Sequence, residues 1–278
     1  MTFDHNIFTV DVEDWYHVCG TERGGTVPPR ESWRVRQNVA RILTLLEQCG
    51  QKATFFMLGS VAEKVPELAP MIAAAGHEIA SHGFSHKLVS DLAPQQFREE
   101  LKRTELILLE QTGQRTVGYR APQWSLSKRT AWAFTILREE GYRYDSSLNP
   151  LSFVGNSCGS RTPWRLEGDG ELLWEIPPLV TPSLVGNLPT GGGWGFRFFP
   201  KRMIRSSIDE LNRCGQPATL YLHPRELDPN GPRIDLPHLK SFVSYGSRID
   251  ATARLSELFR RYHFTTIKEF LDKWQPAY

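Results

Sequence analysis

The sequence predicts an α/β fold around a parallel sheet, and three observations carry that expectation. Strand-like and helix-like segments alternate along the first two-thirds of the 278 residues, a rhythm that builds helical crossovers between parallel strands. The apolar segments "FTVDV" and "KATFFML" read as buried strands. Residues able to do chemistry gather where strands end and loops begin, the place where such folds keep their ligand groups.

Taken in order, the first strand runs into "DVEDW", which crowds Asp11, Glu13 and Asp14 together. Acidic groups this close repel one another and need compensation. "ESWRVRQNVARILTLLEQCG" then places Val35, Val39, Ile42, Leu43 and Leu46 on one helical face, with Gly50 as the stop. After "KATFFML", the segment "VPELAPMIAAAG" reads as a helix with Pro66 near its start and Gly76 as its C-cap. "HEIASH" is a short strand. "SDLAPQQFREELKRTELILLEQTG" is a long helix capped by Ser90 or Asp91 and stopped by Gly113. "TVGYRAP" is strand-like, "SKRTAWAFTILREEG" helical and "YRYDSS" another short strand. From about residue 150 the pattern loosens into a Pro-, Gly- and Trp-rich stretch around "LLWEIP" and "TGGGWGFRFFP". A helix at "KRMIRSSIDELNRCG", a strand at "ATLYLHP" and a terminal helix-and-strand segment follow.

The totals exclude some functions. A net charge of +2 without a basic run gives no support to a nucleic-acid or anionic-membrane partner. With 40% hydrophobic and 23% charged residues the composition is that of a soluble globular protein, and a core of this size needs no disulfides. Cys19, Cys49, Cys158 and Cys214 form no CxxC pair, which favours a reduced setting. No apolar run approaches the roughly 18 residues that span a bilayer, and the first residues lack the pattern of a secretory leader. The expectation is a cytoplasmic protein with no integral membrane segment.

Four short stretches carry chemistry. In "SHGFSH", His82 and His86 stand four apart, so one helical turn would present both imidazoles to a divalent ion. A carboxylate from another strand end would complete a two-histidine, one-carboxylate set with open coordination positions. In "GYRAPQWS", Arg120 precedes Ala-Pro, which keeps the backbone extended, and can pair with one of the crowded carboxylates. In "ATLYLHPREL", His223 ends an apolar strand and can serve as a general acid.

The series "TVDVED", "SHGFSH", "RAP", "LYLH", with "YRYDSS" as a further landmark, resembles the motif series of the NodB-homology polysaccharide deacetylases, carbohydrate esterase family 4. The resemblance spans about residues 7 to 225. It is closer still to a bacterial subgroup found with exopolysaccharide and exosortase gene clusters, whose "GGGYFR"-like and "YLHPWE" stretches correspond here to "GGGWGFR" and "YLHPRE". The resemblance implies a deformed (β/α)7 barrel with the site at the strand C-termini. It implies one domain over residues 1–278, with 226–278 as a family-specific extension. It also implies that Asp11 is the catalytic base, that His82 and His86 bind the metal, that Arg120 holds the base and that His223 is the general acid.

The metal-binding carboxylate departs from the family pattern. Where many members have adjacent aspartates, Val12 follows Asp11. Side chains alternate along a strand, so Glu13 shares a face with Asp11 and is the favoured ligand. Asp14 is the alternative if the strand ends at Val12 and the loop turns it back.

The expected activity is metal-dependent hydrolysis of N-acetyl amides on an amino-sugar polysaccharide or a lipid-linked oligosaccharide. Zinc is the default metal, with cobalt, nickel or manganese as alternatives. The Gln123 backbone N–H would support the oxyanion, and Trp124 and Trp194 are sugar-contact candidates, as are Trp15, Tyr16 and Phe196. The glycines at 191–193 would let the backbone approach a ligand or form a mobile lid. The rivals are a deformylase of a lipid-linked sugar, a metal-free cyclic-amide hydrolase and a non-catalytic carbohydrate-binding homologue.

Overall fold

The computed structural model describes residues 5–18, 27–152, 154, 159–168, 170–246 and 249–274. Cys19 and Cys158 lie outside these, whereas Cys49 and Cys214 are free thiols.

β1 (Asn6–Val12) precedes α1 (Val35–Gln48), which buries Val35, Val39, Ile42, Leu45 and Leu46 on its inner face. β2 (Thr54–Met57) runs into α2 (Gly59–Lys64), an element that the sequence reading missed, and then α3 (Leu68–Ala74). Val65 leaves helical geometry before Pro66, as a residue preceding proline tends to do, so the helix expected near Pro66 starts at Leu68. β3 (Glu78–Ser81) is followed by α4 (Pro94–Thr112). Ser90 and Asp91 fall in a separate 3-10 turn instead of capping α4. The Gln96 side chain accepts the Ala93 N–H at 2.9 Å there, and Gly113 ends the helix in left-handed geometry.

β4 (Gly118–Tyr119), α5 (Trp132–Glu139) and β5 (Tyr144–Asp145) continue the alternation. Next come β6 (Trp164–Arg165), β7 (Trp174–Glu175), the hairpin of β8 (Thr181–Ser183) and β9 (Gly186–Leu188), α6 (Gly193–Phe198) and α7 (Lys201–Arg213). β10 (Thr219–Leu222), α8 (His238–Tyr245), α9 (Thr252–Arg261), β11 (Phe264–Thr265) and α10 (Ile267–Lys273) close the described chain.

The main sheet is ordered β10-β1-β2-β3-β4-β5-β7-β6, and only the β6–β7 pair is antiparallel. β11 joins β1 in parallel at Asn6 and Ile7. Past β7 the chain bridges the ends of the curled sheet. Ile176 donates its N–H to Asp145 on one side, and Leu179 donates to Thr219 of β10 on the other. The architecture is the α/β, curled parallel sheet of barrel type that the sequence predicts.

Alternation sorts the strand residues into two sets. Phe8, Val10, Val12, Phe55 and Met57 pack outward with the helices, in one core with Val39, Ile42, Ile204, Ile208 and Phe259. Ile7, Phe56, Ala80, Tyr144 and Ile176 point inward and meet Ile267 and Phe270 of α10. That helix closes the base of the sheet. Ile267 N–H donates to Thr54 Oγ1 at 2.8 Å and Lys268 N–H to Glu78 Oε2 at 3.0 Å, while Tyr144 Oη donates to Glu78 Oε1 at 2.8 Å. Apolar layers and this plug fill the base, so the polar inward residues Thr9, Asp11, Arg120 and Ser146 sit together at the opposite end. Among the described residues no helix is long and apolar enough to cross a membrane.

Candidate active site

Asp11 and Arg120 form the buried floor of the site. Arg120 Nη1 donates to Asp11 Oδ1 at 2.7 Å and to Thr9 Oγ1 at 2.9 Å. Its Nε donates to the Ser146 carbonyl at 3.0 Å and its Nη2 to Ser146 Oγ at 2.7 Å. The guanidinium also lies 4.2 Å from the Phe56 ring centroid and 5.0 Å from that of Trp124. A planar cation held this way fixes the Asp11 carboxylate through one oxygen and leaves Oδ2 facing the cavity.

Glu13, His82 and His86 make the second group. Glu13 Oε1 is 3.1 Å from His82 Nε2 and 2.9 Å from His86 Nε2. The three potential ligand atoms lie within 4.8 Å of one another, and all three residues are buried. His82 Nδ1 donates to the Arg120 carbonyl at 2.8 Å, which turns Nε2 toward Glu13. Burial works against a charge on Glu13. His86 and His223, together with hydrogen bonds from His82 and His86, outweigh it and hold the carboxyl well below its ordinary value. Burial likewise opposes charge on His82, but Glu13 and Asp11 raise it. Two imidazoles and one carboxylate at this spacing fit a divalent first-row ion with open positions.

The two histidines do not share a helical turn. Residues 82–86 form a loop that turns at Gly83 (φ 72°), and His86 itself adopts left-handed backbone at φ 62°. The loop is held from outside: Gly59 and Ser60 donate to the Gly83 and Phe84 carbonyls, and the Glu100 carboxylate accepts the Phe84 N–H at 3.2 Å and the Ser85 N–H at 3.3 Å. Asp14 stands apart from the triad. Its Oδ1 accepts Trp15 N–H at 2.7 Å and Arg34 N–H at 3.0 Å, and its Oδ2 accepts Arg34 N–H at 3.1 Å, so it fastens the approach to α1.

His223 follows β10 and completes the group. Its Nε2 lies 3.9 Å from Asp11 Oδ2, and its Nδ1 lies 2.8 Å from Glu226 Oε1. Glu226 Oε2 pairs in turn with Arg197 Nε at 3.2 Å. Burial alone would raise the Glu226 carboxyl, but Arg197 and His223 pull it down to about 2. The result is a continuous line of ionisable side chains from Arg120 through Asp11, His223 and Glu226 to Arg197.

Residues 28–144 match the family described as Polysaccharide deacetylase, and residues 146–272 match the one described as Domain of unknown function (DUF3473). The first match covers somewhat less than half of the chain. Over 116 residues the chain is 34% identical to the peptidoglycan deacetylase-like protein FGM2 of Gibberella zeae, covering 41% of this chain and 33% of that protein. It is 33% identical over 116 residues to a peptidoglycan deacetylase of Helicobacter pylori, covering 42% of this chain and 39% of that one. The chain thus spans between a third and two-fifths of the length of these curated relatives. A crystal structure of a candidate polysaccharide deacetylase from Mycobacterium smegmatis superposes with a TM-score of 0.67 at 22% identity, over 100% of this chain and 93% of that one. It shares the fold.

The segment matched to the first family model supplies His82, His86 and Arg120, and the segment matched to the second supplies His223, Glu226 and Arg197. Asp11 and Glu13 precede both. Asp11, Glu13, His86, His223 and Glu226 line one cavity together with Gln123, Trp124 and Trp194, while His82, Arg120 and Arg197 hold lining residues from behind. Trp15, Tyr16 and Phe196 lie outside that lining. Trp15 Nε1 donates to the Ser32 carbonyl at 3.0 Å, Tyr16 packs beside Trp33, and Phe196 is in the main core. Gly191 and Gly192 pack against the chain's own backbone: a Cβ on Gly191 would meet the Leu179 carbonyl oxygen at 2.5 Å, and one on Gly192 the Tyr221 carbonyl oxygen at 2.4 Å.

Among the described residues, the non-glycine positions with positive φ are His86, Gln123 and Trp124, and all three line this cavity. Left-handed non-glycine backbone among the described residues thus gathers at one cavity, the kind of place where functional sites keep it. The turn at Gln123 uses the N–H groups of Trp124 and Ser125 for its own hydrogen bonds and leaves that of Gln123 out.

The sequence reading missed several lining residues. Arg225 Nη1 donates to Glu13 Oε2 at 2.8 Å and so ties the free carboxylate oxygen. His17 accepts the Asp14 N–H on Nδ1 at 3.0 Å, and burial, with His86 beside it, holds the imidazole down to about 3. Tyr221 stacks edge-on against Trp124 at 5.0 Å. Glu226 alone had a signal, standing at the reciprocal capping distance from His223 in "HPRE".

Proposed function

We propose that this chain is a metal-dependent deacetylase that hydrolyses N-acetyl groups of an amino-sugar polysaccharide, in keeping with the activity named for its relatives. One observation carries the reading: a two-histidine, one-carboxylate cluster, an arginine-held aspartate and a carboxylate-held histidine open onto the same cavity. A divalent ion at Glu13, His82 and His86, zinc by default and cobalt, nickel or manganese as alternatives, supplies Lewis-acid activation of water and of the amide carbonyl.

The remaining work falls to the chain's own groups. Asp11, gripped at Oδ1 by Arg120, has Oδ2 placed to take the proton of the attacking water. The Gln123 N–H, left out of its own turn, is placed to donate to the developing oxyanion. His223, oriented through Nδ1 by Glu226, has Nε2 free to protonate the departing amine. The products are acetate and a free amino sugar. Resemblance to the motifs of the exopolysaccharide subgroup supports an exopolysaccharide, or its precursor, as the polymer. The complete triad favours this reading over a metal-free cyclic-amide hydrolase.

The test measures metal content together with acetate release from N-acetylated chito-oligosaccharides. His82→Ala should lose both, and full activity in metal-free protein would overturn the reading. His223→Ala should keep its metal and its fold while turnover drops about 10²–10⁴-fold. A smaller loss removes it as the acid.

A further inference from the structure

Asn149 lines the same cavity and has no assigned role. It is only 2% exposed, yet its Oδ1 has no hydrogen-bond partner. A buried acceptor without a donor costs free energy, and a loop residue free to relax would turn to find one. Asn149 is not free to relax. Asp145 accepts the Ser147 N–H at 3.2 Å and the Ser147 hydroxyl at 2.6 Å, and Glu175 accepts the Leu148 N–H at 2.9 Å. On the other side, Asn187 donates to the Pro150 carbonyl at 2.8 Å. The loop is pinned before and after Asn149, and its side-chain oxygen stays unpaired beside the cavity. Gln123, in the same lining, has its Nε2 buried without a partner. Besides the unpaired Ser244 hydroxyl, the cavity lining thus holds an unpaired acceptor on Asn149 and an unpaired donor on Gln123, the complement of a neutral sugar with O–H and N–H groups.

We propose that Asn149 is a specificity-determining residue whose side-chain oxygen accepts a hydrogen bond from a hydroxyl or amide N–H of the bound sugar. This rests on the deacetylase reading for the identity of the ligand. A substrate whose corresponding position is esterified or ether-linked offers no hydrogen there and leaves the oxygen unpaired, so it is rejected.

The experiment compares wild type with Asn149→Leu and Asn149→Ala by two readouts. The first is thermal melting without substrate. Replacing an unpaired polar group by an apolar one of similar shape should raise the melting temperature of the leucine variant by about 2–4 °C. The second is kinetics with N-acetylated chitotetraose. KM should rise about three- to tenfold in both variants with kcat nearly unchanged, the pattern of a contact made equally in ground and transition states. Lower melting temperatures or loss of fold in both variants would make Asn149 a structural residue and overturn the proposal. So would an unchanged KM. Absence of acetate release by wild type would count against the deacetylase reading instead. The proposal then stands or falls on calorimetric binding of the tetraose to metal-stripped protein, which must weaken by the same factor in the variants.

Discussion

Glu226 stays charged in a place where burial alone would neutralise it. Arg197 at 3.2 Å and His223 at 2.8 Å, with Arg225 nearby, hold its carboxyl down to about 2 against an ordinary value of 4.5. A folded-state value depressed this way stabilises the protein above pH 4.5, and the gain is lost as pH falls from there toward 2. The difference is worth about 3 kcal/mol. Glu226→Gln should therefore be about 3 kcal/mol less stable than wild type near neutrality, where it leaves Arg197 buried without its carboxylate. The gap should close as pH approaches 2. Denaturant titrations across that range would show it, and a gap independent of pH would mean that the pair carries no charge. The strand period sufficed to put Asp11 and Glu13 on one side of the chain and Asp14 on the other. Arg197 could not be found the same way, because its pairing with Glu226 exists only once α6 has docked and nothing local marks it.

At the scale of elements, the short strand β4 is set by its neighbours rather than by its own two residues. Tyr144 lies across the sheet interior to reach Glu78, and its ring passes over Gly118, where an added Cβ would stand 1.9 Å from Cζ. Gly118→Ala should cost about 2–3 kcal/mol in denaturant titration. The penalty should shrink by at least about 1 kcal/mol in a Tyr144→Leu background, because the two residues share one space. Strict additivity would rule the clash out. The glycine before "YR" was visible in the sequence, but its reason depends on a residue 26 positions away. The histidine loop shows the same limit from the other side. A four-residue spacing suits a helical turn, yet Gly83 and the Glu100 carboxylate, contributed by α4, bend the segment into a loop whose histidines still converge on Glu13. Spacing was legible, backbone path was not.

At the scale of the molecule, the last described residues belong to the same structure as the first. β11 pairs with β1, the strand that carries Asp11, and α10 fills the base beneath the site. Phe264, Ile267 and Phe270 are buried there. At about 1.5–3 kcal/mol each, their burial contributes roughly 5–9 kcal/mol, comparable with the whole stability of an ordinary domain. A chain ended at Arg261 should therefore lack a cooperative unfolding transition. Phe264→Ala should lose about 3–5 kcal/mol in urea titration, whereas Leu184→Ala, at the exposed tip between β8 and β9, should change stability by less than about 0.5 kcal/mol. Activity separates the two ways a distant residue can matter. If β11 only supports the sheet, Phe264→Ala measured well below its transition keeps wild-type turnover per folded molecule, and the loss is confined to stability. A drop in turnover with the fold intact would mean that the register of β1 reaches Asp11 and is set from the base of the sheet.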